Sequence, residues 1–370
     1  MYVVKAGESH GRAIVGILCN VPAGIKIEEK RILDLLRERR RALGRSSRQK
    51  KENDKIEIIT GIRNGYTLGN NVAIVIKNKA YAEFEQIMGA FSADVESEQI
   101  TALRPGHADL GGINRFAHFD ARNVMEGASA RNTCVDVALG AIAISMLEQL
   151  GIKIAVEVRS LDCLNSDKEF SFEENLNNTS PYFSQNKKFI SGCKKIIDEA
   201  KEMGESLGGM VEVTVSPIKP GCGSYVSEKR IDALIAGLLM QTQAVKGVVF
   251  GSNSTCEEGF NSYNGVIVKE ENQLKTRSFS GGIDGGMTNG DYIKVKAFIK
   301  PIPTTIKGNK SVDIATGEEC ISAKQRADIT AVFAICPVLK AKVALAISEA
   351  ICERVGGDNI SAIINRYNSL

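Results

Sequence analysis

The chain has 370 residues, of which 43% are apolar and 25% charged, close to the average soluble globular protein. That balance excludes a largely disordered chain, a collagen-like fibre and a polytopic membrane protein. With 47 Lys and Arg against 44 Asp and Glu, the formal charge is only +3, which argues against a dedicated nucleic-acid binder.

The N-terminus, Met1 to His10, has no basic region followed by an apolar one and does not read as a secretory signal. In chain order, apolar periodicity predicts a helix over Glu28–Arg41, strands over Lys55–Thr60 and Val72–Ile76, and a helix over Thr133–Leu150. A strand over Lys153–Val158, a helix over Asn186–Met203 and a strand over Met210–Val215 follow. The last elements are a helix over Ser227–Gln243, strands over Val248–Phe250 and Asp291–Ile299, and a helix over Val338–Val355. Helices and strands interleave without a regular βαβ rhythm, which predicts an α+β fold. A length of 370 residues allows one or two domains. The most apolar stretches, around Val135–Leu147 and Ile329–Val338, are too short to span a bilayer.

Nine Cys are scattered at wide spacings with no CxxC pair. This disfavours a disulfide scaffold or a zinc site and predicts a reducing, cytoplasmic setting with no bound metal. There is no Trp, and His10, His107 and His118 are the only imidazoles available for acid–base chemistry near neutral pH.

Six polar clusters stand out. Gly7-Glu8-Ser9-His10-Gly11 sets a carboxylate, a hydroxyl and an imidazole between two glycines, as a ligand loop or a polar turn would. Between residues 37 and 48 there are six Arg, more than a helix C-terminus needs. Their planar donors suit phosphate or carboxylate, and the near-neutral total charge favours a small anion over nucleic acid. Arg104-Pro105-Gly106-His107-Ala108-Asp109 is a turn that places Arg and His on one edge. The stretch from Arg122 to Arg131 puts Ser129 near a helix start, where backbone N–H groups attract anions. Lys300-Pro301-Ile302-Pro303-Thr304-Thr305 is an extended segment ending in hydroxyls, and Gln325-Arg326-Ala327-Asp328 sets an Arg two residues from a carboxylate. The glycine pairs Gly281-Gly282 and Gly285-Gly286 read as tight turns or as a close approach to a ligand. They match neither a Rossmann fingerprint nor a Walker loop.

Taken together, in their order and spacing, the motifs at 7–11, 104–110, 129–131, 281–290, 300–304 and 326–332 resemble those of the chorismate synthase family. The resemblance runs from residue 2 to about residue 355 and implies one family domain over 1–370. It implies a β-α-β sandwich with a sheet core and flanking helices, assembled as a homotetramer. The implied activity is anti-1,4-elimination of phosphate from 5-enolpyruvylshikimate 3-phosphate to give chorismate, the last step of the shikimate pathway. Reduced FMN is required without net redox change, NADPH serving only indirectly to reduce the flavin. No nucleic acid or membrane partner is implied.

By motif position the catalytic residues implied are His10, as proton donor to the leaving phosphate, His107, beside the reduced flavin, and Asp328, assisting proton uptake at the flavin. Cofactor-binding positions fall on Arg39, Arg45, Gly127, Ala128, Ser129, Gln243, Ala244, Gly285, Lys300, Pro301, Ile302, Pro303, Thr304 and Arg326. Substrate-binding positions fall on Arg48, Arg104 and Arg131, and His118 is assigned a structural role. Some positions depart from the family pattern. Family members usually carry Arg at the position of Gly127, Ser at that of Ala128 and Asn at that of Gln243. A lost guanidinium can cost about 1.5–3 kcal/mol where its partner is charged. A diverged paralogue with weak catalysis is therefore the competing reading.

Overall fold

A computed structural model describes residues 1–44, 54–91, 99–251, 265–270, 273–322 and 328–370. Two antiparallel sheets face each other across a layer of helices. The first sheet has Tyr2–Ala6 at one edge, then Ala13–Cys19, Val72–Lys77 and Ile56–Thr60. The second has Val245–Phe250, Ile293–Ile299, Gly209–Val215, Ile154–Leu161 and Leu164–Asn165 in that spatial order.

Between the sheets lie the helices Thr133–Gln149 and Val332–Val355, packed on each other. The first also touches the strands of the smaller sheet, and the second those of the larger. The antiparallel α+β class matches the sequence expectation. The β-α-β sandwich is found as implied, but with helices at its centre and sheets outside rather than a sheet core with flanking helices, because the two principal helices are apolar on nearly every side. Both helices are apolar on nearly every side, as a helix enclosed on all faces must be. The helical run 122–149 is long and apolar enough to cross a membrane, yet 89% of its most apolar window is buried inside the protein.

The close approach of these layers depends on two small residues. A Cβ on Gly140 would lie 2.3 Å from the Cβ of Ala341 in the neighbouring helix, and one on Gly16 would lie 2.1 Å from Val135. A charged group is pinned inside this apolar layer. Asp136 is buried and bonds the Lys5 ammonium at 2.5 Å, with Lys342 at 3.5 Å.

Most elements form where periodicity placed them, and the differences have physical causes. Tyr2–Ala6 and Ala13–Cys19 were not foreseen, because the first turns Lys5 inward and Tyr2 and Val4 outward, the reverse of ordinary amphipathic strand patterning. The final long helix starts at Val332 rather than Val338 and runs through Pro337, which forfeits one backbone bond in the second turn. The Ser227–Gln243 expectation resolves into a 3₁₀ turn, Ser227–Lys229, and the helix Ile231–Met240. Gln243 therefore lies in the turn that follows, where Ala244 adopts φ +76°. Short helices at Tyr81–Met88, Asp109–Phe116 and Ile360–Asn368 also lay outside the expectation. The second glycine pair makes a two-residue hairpin loop, with Gly285 at φ +58° and Gly286 at φ +83° between Ile283–Asp284 and Met287–Thr288.

Candidate active site

The His10 loop joins the first two strands. It leaves the first strand through Gly7, whose φ of +131° and closeness to Ala13 exclude a side chain. The loop is clamped from two directions. Asn78, just past Val72–Lys77, donates its amide hydrogens to the carbonyls of Glu8 at 3.0 Å and Gly11 at 2.7 Å. Glu126 accepts the His10 backbone N–H at 2.7 Å through Oε2, and its Oε1 lies 2.7 Å from His10 Nδ1. The His10 ring stacks on Phe84, with centroids 4.2 Å apart. Burial pushes the Glu126 carboxyl up, but the hydrogen bond and charge of His10 outweigh it and hold the group below its ordinary value.

Arg131 continues the network. It donates from Nε to Asn78 Oδ1 at 2.9 Å and pairs through Nη1 with Asp54. Arg39 approaches the same carboxylate at 3.7 Å, and donates to Thr133 Oγ1 at 2.9 Å and to the carbonyl of Ala130 at 3.0 Å. Arg39 reaches this place because it lies on the buried stripe of the Glu29–Arg41 helix, seven residues after Ile32 and beside Leu35 and Leu36. Burial raises the Asp54 carboxyl, but the two guanidinium charges prevail and keep it ionised below the usual range. Ser129 caps the turn before the central helix by accepting from the Arg131 N–H at 3.2 Å. Gly127 accepts from Asn132 at 3.0 Å, and a Cβ there would meet nothing within 4 Å.

A second cluster forms around the 104–109 turn. Asp109 is fully buried and receives Arg104 twice, from Nε at 2.9 Å and from Nη2 at 3.1 Å. Its Oδ1 also lies 2.6 Å from His107 Nδ1. Despite burial, the hydrogen bonds of His107 and Arg104 hold Asp109 well below the usual carboxylate range. An ionised carboxylate only accepts, so Nδ1 of His107 is the donor in this pair. Arg104 reaches on to Thr304 at 3.3 Å. Lys300 donates to the Gly106 carbonyl at 2.5 Å, and burial, with the nearby Lys246 charge, lowers its ammonium pKa below the ordinary value.

The Lys300–Thr304 segment is itself anchored. The Lys300 N–H donates to the Ala244 carbonyl at 2.9 Å, and the Ile302 carbonyl accepts from Ser206 at 2.6 Å. Pro303 faces Gly106. Asp328 lines a shallow recess with Thr304, Thr305, Ile306 and Ile329. The next residue, Ile329, donates to the Gly44 carbonyl at 2.7 Å, which links this segment to the chain leaving the Arg39 helix.

The structure thus brings His10, Arg39, Arg131 and Ser129 into one cluster, with Gly127 and Ala128 on its border, and His107, Arg104, Lys300 to Thr304, Ala244 and Asp328 into a second. Gln243 adjoins the second through Ala244. The described contacts join Gly285 to neither; its hairpin packs against Arg230 and Ile231. Arg45, Arg48 and Arg326 lie outside the described residues. His118 meets Phe116, at 6.1 Å between ring centroids.

Four residues in these clusters were not singled out as site residues: Asp54, Asn78, Asp109 and Glu126. Asp109 and Glu126 sit inside motifs already marked, and the spacing of an acid two residues after His107 was a usable signal. Asp54 and Asn78 bond partners 77 and 53 residues away, and no local pattern foretells that.

In chemical terms, two imidazoles are each paired to an ionised carboxylate, with the buried Arg104 beside His107 and the buried Arg39 and Arg131 in the network that holds the His10 loop. Such a site can bind a small polyanion and exchange protons with it. Likeness to known proteins extends over the whole chain. The sequence profile of the family described as chorismate synthase matches residues 1–352. Chorismate synthase of Caldicellulosiruptor bescii is 37% identical, over 100% of this chain and 99% of its own. That of Sulfurihydrogenibium sp. (strain YO3AOP1) is 38% identical, over 96% of this chain and 94% of its own. A solved chorismate synthase crystal structure superposes with a TM-score of 0.77 at 30% identity, covering 100% of this chain and 96% of that one. With motifs, layered fold and full-length likeness all in agreement, the chain belongs to the chorismate synthase family.

Proposed function

We propose that the protein catalyses the anti-1,4-elimination of phosphate from 5-enolpyruvylshikimate 3-phosphate, giving chorismate. The observation that carries this reading is the pair of imidazole–carboxylate couples, His10–Glu126 and His107–Asp109, set among buried arginines in a chain of this family. The reaction breaks a C–O bond, with its electron pair leaving on phosphate, and removes a proton from a second carbon. The remaining electrons form the new double bond of the diene.

Arg104 and Arg131 are oriented by Asp109, Asp54 and Asn78 toward a substrate bearing one phosphate and two carboxylates. His10 delivers a proton to the departing phosphate oxygen. Asp328, which lines a recess together with Thr304, would assist uptake of the proton taken from carbon at the flavin. His107, held by Asp109, orders the cofactor side of the site. General acid–base groups of this kind contribute about 10²–10⁴ in rate.

Reduced FMN, when bound, supplies electron density to the C–O cleavage and recovers it, so no net redox change occurs. The residues present fit such a group. Gln243 Oε1 and Thr242 Oγ1 are buried without a hydrogen-bond partner, beside Ala244 in left-handed backbone that is bonded to Lys300. Orphaned polar atoms at a turn of this kind suit a hydroxylated heteroaromatic ligand. The absence of a dinucleotide fingerprint supports an external source of reduced flavin, with NADPH acting indirectly. The proposed setting is cytoplasmic, and the proposed assembly is a homotetramer.

Anaerobic incubation of the protein with substrate and reduced FMN is expected to release chorismate and inorganic phosphate in equal amounts. Absence of both products while reduced FMN is bound would overturn the proposal. The competing reading, a paralogue of weak activity, rests on Gly127, Ala128 and Gln243; a Cβ at Gly127 would meet nothing within 4 Å.

A further inference from the structure

Glu126 does more than close a loop. Its two oxygens serve different groups of one residue: Oε2 takes the His10 backbone N–H and Oε1 faces His10 Nδ1, both at 2.7 Å. The carboxylate is 93% buried by side-chain area, and the imidazole is 85% buried. Phe84 covers one face of the ring, which restricts its rotation. The Ser9 N–H donates to the Glu126 carbonyl at 3.0 Å, so backbone and side chain of this residue hold the loop together. The Arg122 charge also acts on Glu126.

We propose that Glu126 is a positioning residue that fixes His10 as the Nδ1–H tautomer, so that proton exchange with the substrate runs through Nε2. The inference rests on the elimination reaction assigned above. An ionised carboxylate has no proton to donate, so the 2.7 Å contact forms only when Nδ1 carries one. When the imidazolium acts, the Nε2 proton moves to a phosphate oxygen as the C–O electron pair leaves. Neutral imidazole remains, with Nδ1–H still on Glu126. The carboxylate stays ionised throughout and steadies the cation before transfer.

The substitution Glu126→Gln tests this because it keeps the shape and removes one acceptor. The His10 backbone N–H can only donate, so it takes the single amide oxygen. The amide NH₂ then faces Nδ1 and bonds it only when Nδ1 lacks a proton, which selects the opposite tautomer. Because the chain has three histidines, imidazole ¹⁵N spectra of the full-length protein are simple to assign, using His10→Ala.

The wild type is expected to show neutral His10 protonated at Nδ1, and Glu126→Gln to show it protonated at Nε2. His107, held by Asp109, should be unchanged and reports that the variant is folded. With 5-enolpyruvylshikimate 3-phosphate and reduced FMN, Glu126→Gln should lower kcat by about 10² or more, with KM changed less than about threefold. The same tautomer in both proteins, or an Nε2-protonated wild type, would overturn the proposal. A switched tautomer with unchanged kcat would overturn its catalytic part. If the wild type shows the expected tautomer but no turnover, the assigned reaction fails while the positioning of His10 stands.

Discussion

Three buried carboxylates, Asp54, Asp109 and Glu126, hold the arginines and histidines of this site in place. Each has its pKa depressed by cationic or donor partners despite burial, which gives a definite pH signature. A carboxyl depressed in the folded state contributes stability that is present above its unfolded pKa of about 3.9 for Asp, and lost as pH falls through the folded value. Asp54→Asn leaves Arg39 and Arg131 without their shared counter-charge, so it should lower stability at pH 7 by about 3 kcal/mol or more. Urea unfolding should show this gap narrowing as pH is lowered below about 4, and a pH-independent gap would contradict the charge argument. At Gly127 the open space accepts a longer side chain, so Gly127→Arg should tighten FMN binding several-fold in a fluorescence titration. Unchanged affinity would remove the main support of the weak-activity reading. At this scale scarcity marked all three histidines, and motif position in the resemblance separated His10 and His107 from His118. The acids that orient His10 and His107 were less legible, since a carboxylate's partner depends on contacts such as the 116-residue separation of His10 and Glu126.

Elements were most legible where one face is apolar and the other polar. The Glu29–Arg41 and Lys187–Met203 helices start and stop within a few residues of expectation for that reason. Legibility failed where burial is inverted, as in Tyr2–Ala6 with its inward Lys5, and at the start of the final helix, which packing carries through Pro337. The contact of Gly140 with Ala341 fixes how closely the two central helices approach. Gly140→Ala places a methyl 2.3 Å from the Ala341 Cβ and should cost at least about 1–3 kcal/mol. Adding Ala341→Gly should recover part of that loss, a coupling that a thermal-melt double-mutant cycle would read directly. Strictly additive effects would show that the helices separate without regard to this contact.

For the molecule as a whole, the outward face of the smaller sheet carries Tyr2, Val4 and Val15, all exposed, with Ile17 paired between Val4 and Ala73. An apolar sheet face of this kind is a natural subunit contact and supports the proposed homotetramer. Val15→Glu is expected to shift the assembly to smaller species by light scattering, with the fold retained. An unchanged mass would place the subunit contact elsewhere. The class of fold was readable from the interleaving of helices and strands. The β-α-β layering came only with the family resemblance, because periodicity shows which face is buried but not what covers it.

The most direct measurement is a single-turnover experiment under anaerobic conditions, with photoreduced FMN and 5-enolpyruvylshikimate 3-phosphate, following phosphate release and the flavin spectrum together. The wild type should release one phosphate per chorismate and return the flavin fully reduced, and His107→Ala should slow release by about 10²–10⁴. Phosphate release at the same rate in both proteins, or flavin left oxidised in proportion to product, would contradict the proposed chemistry.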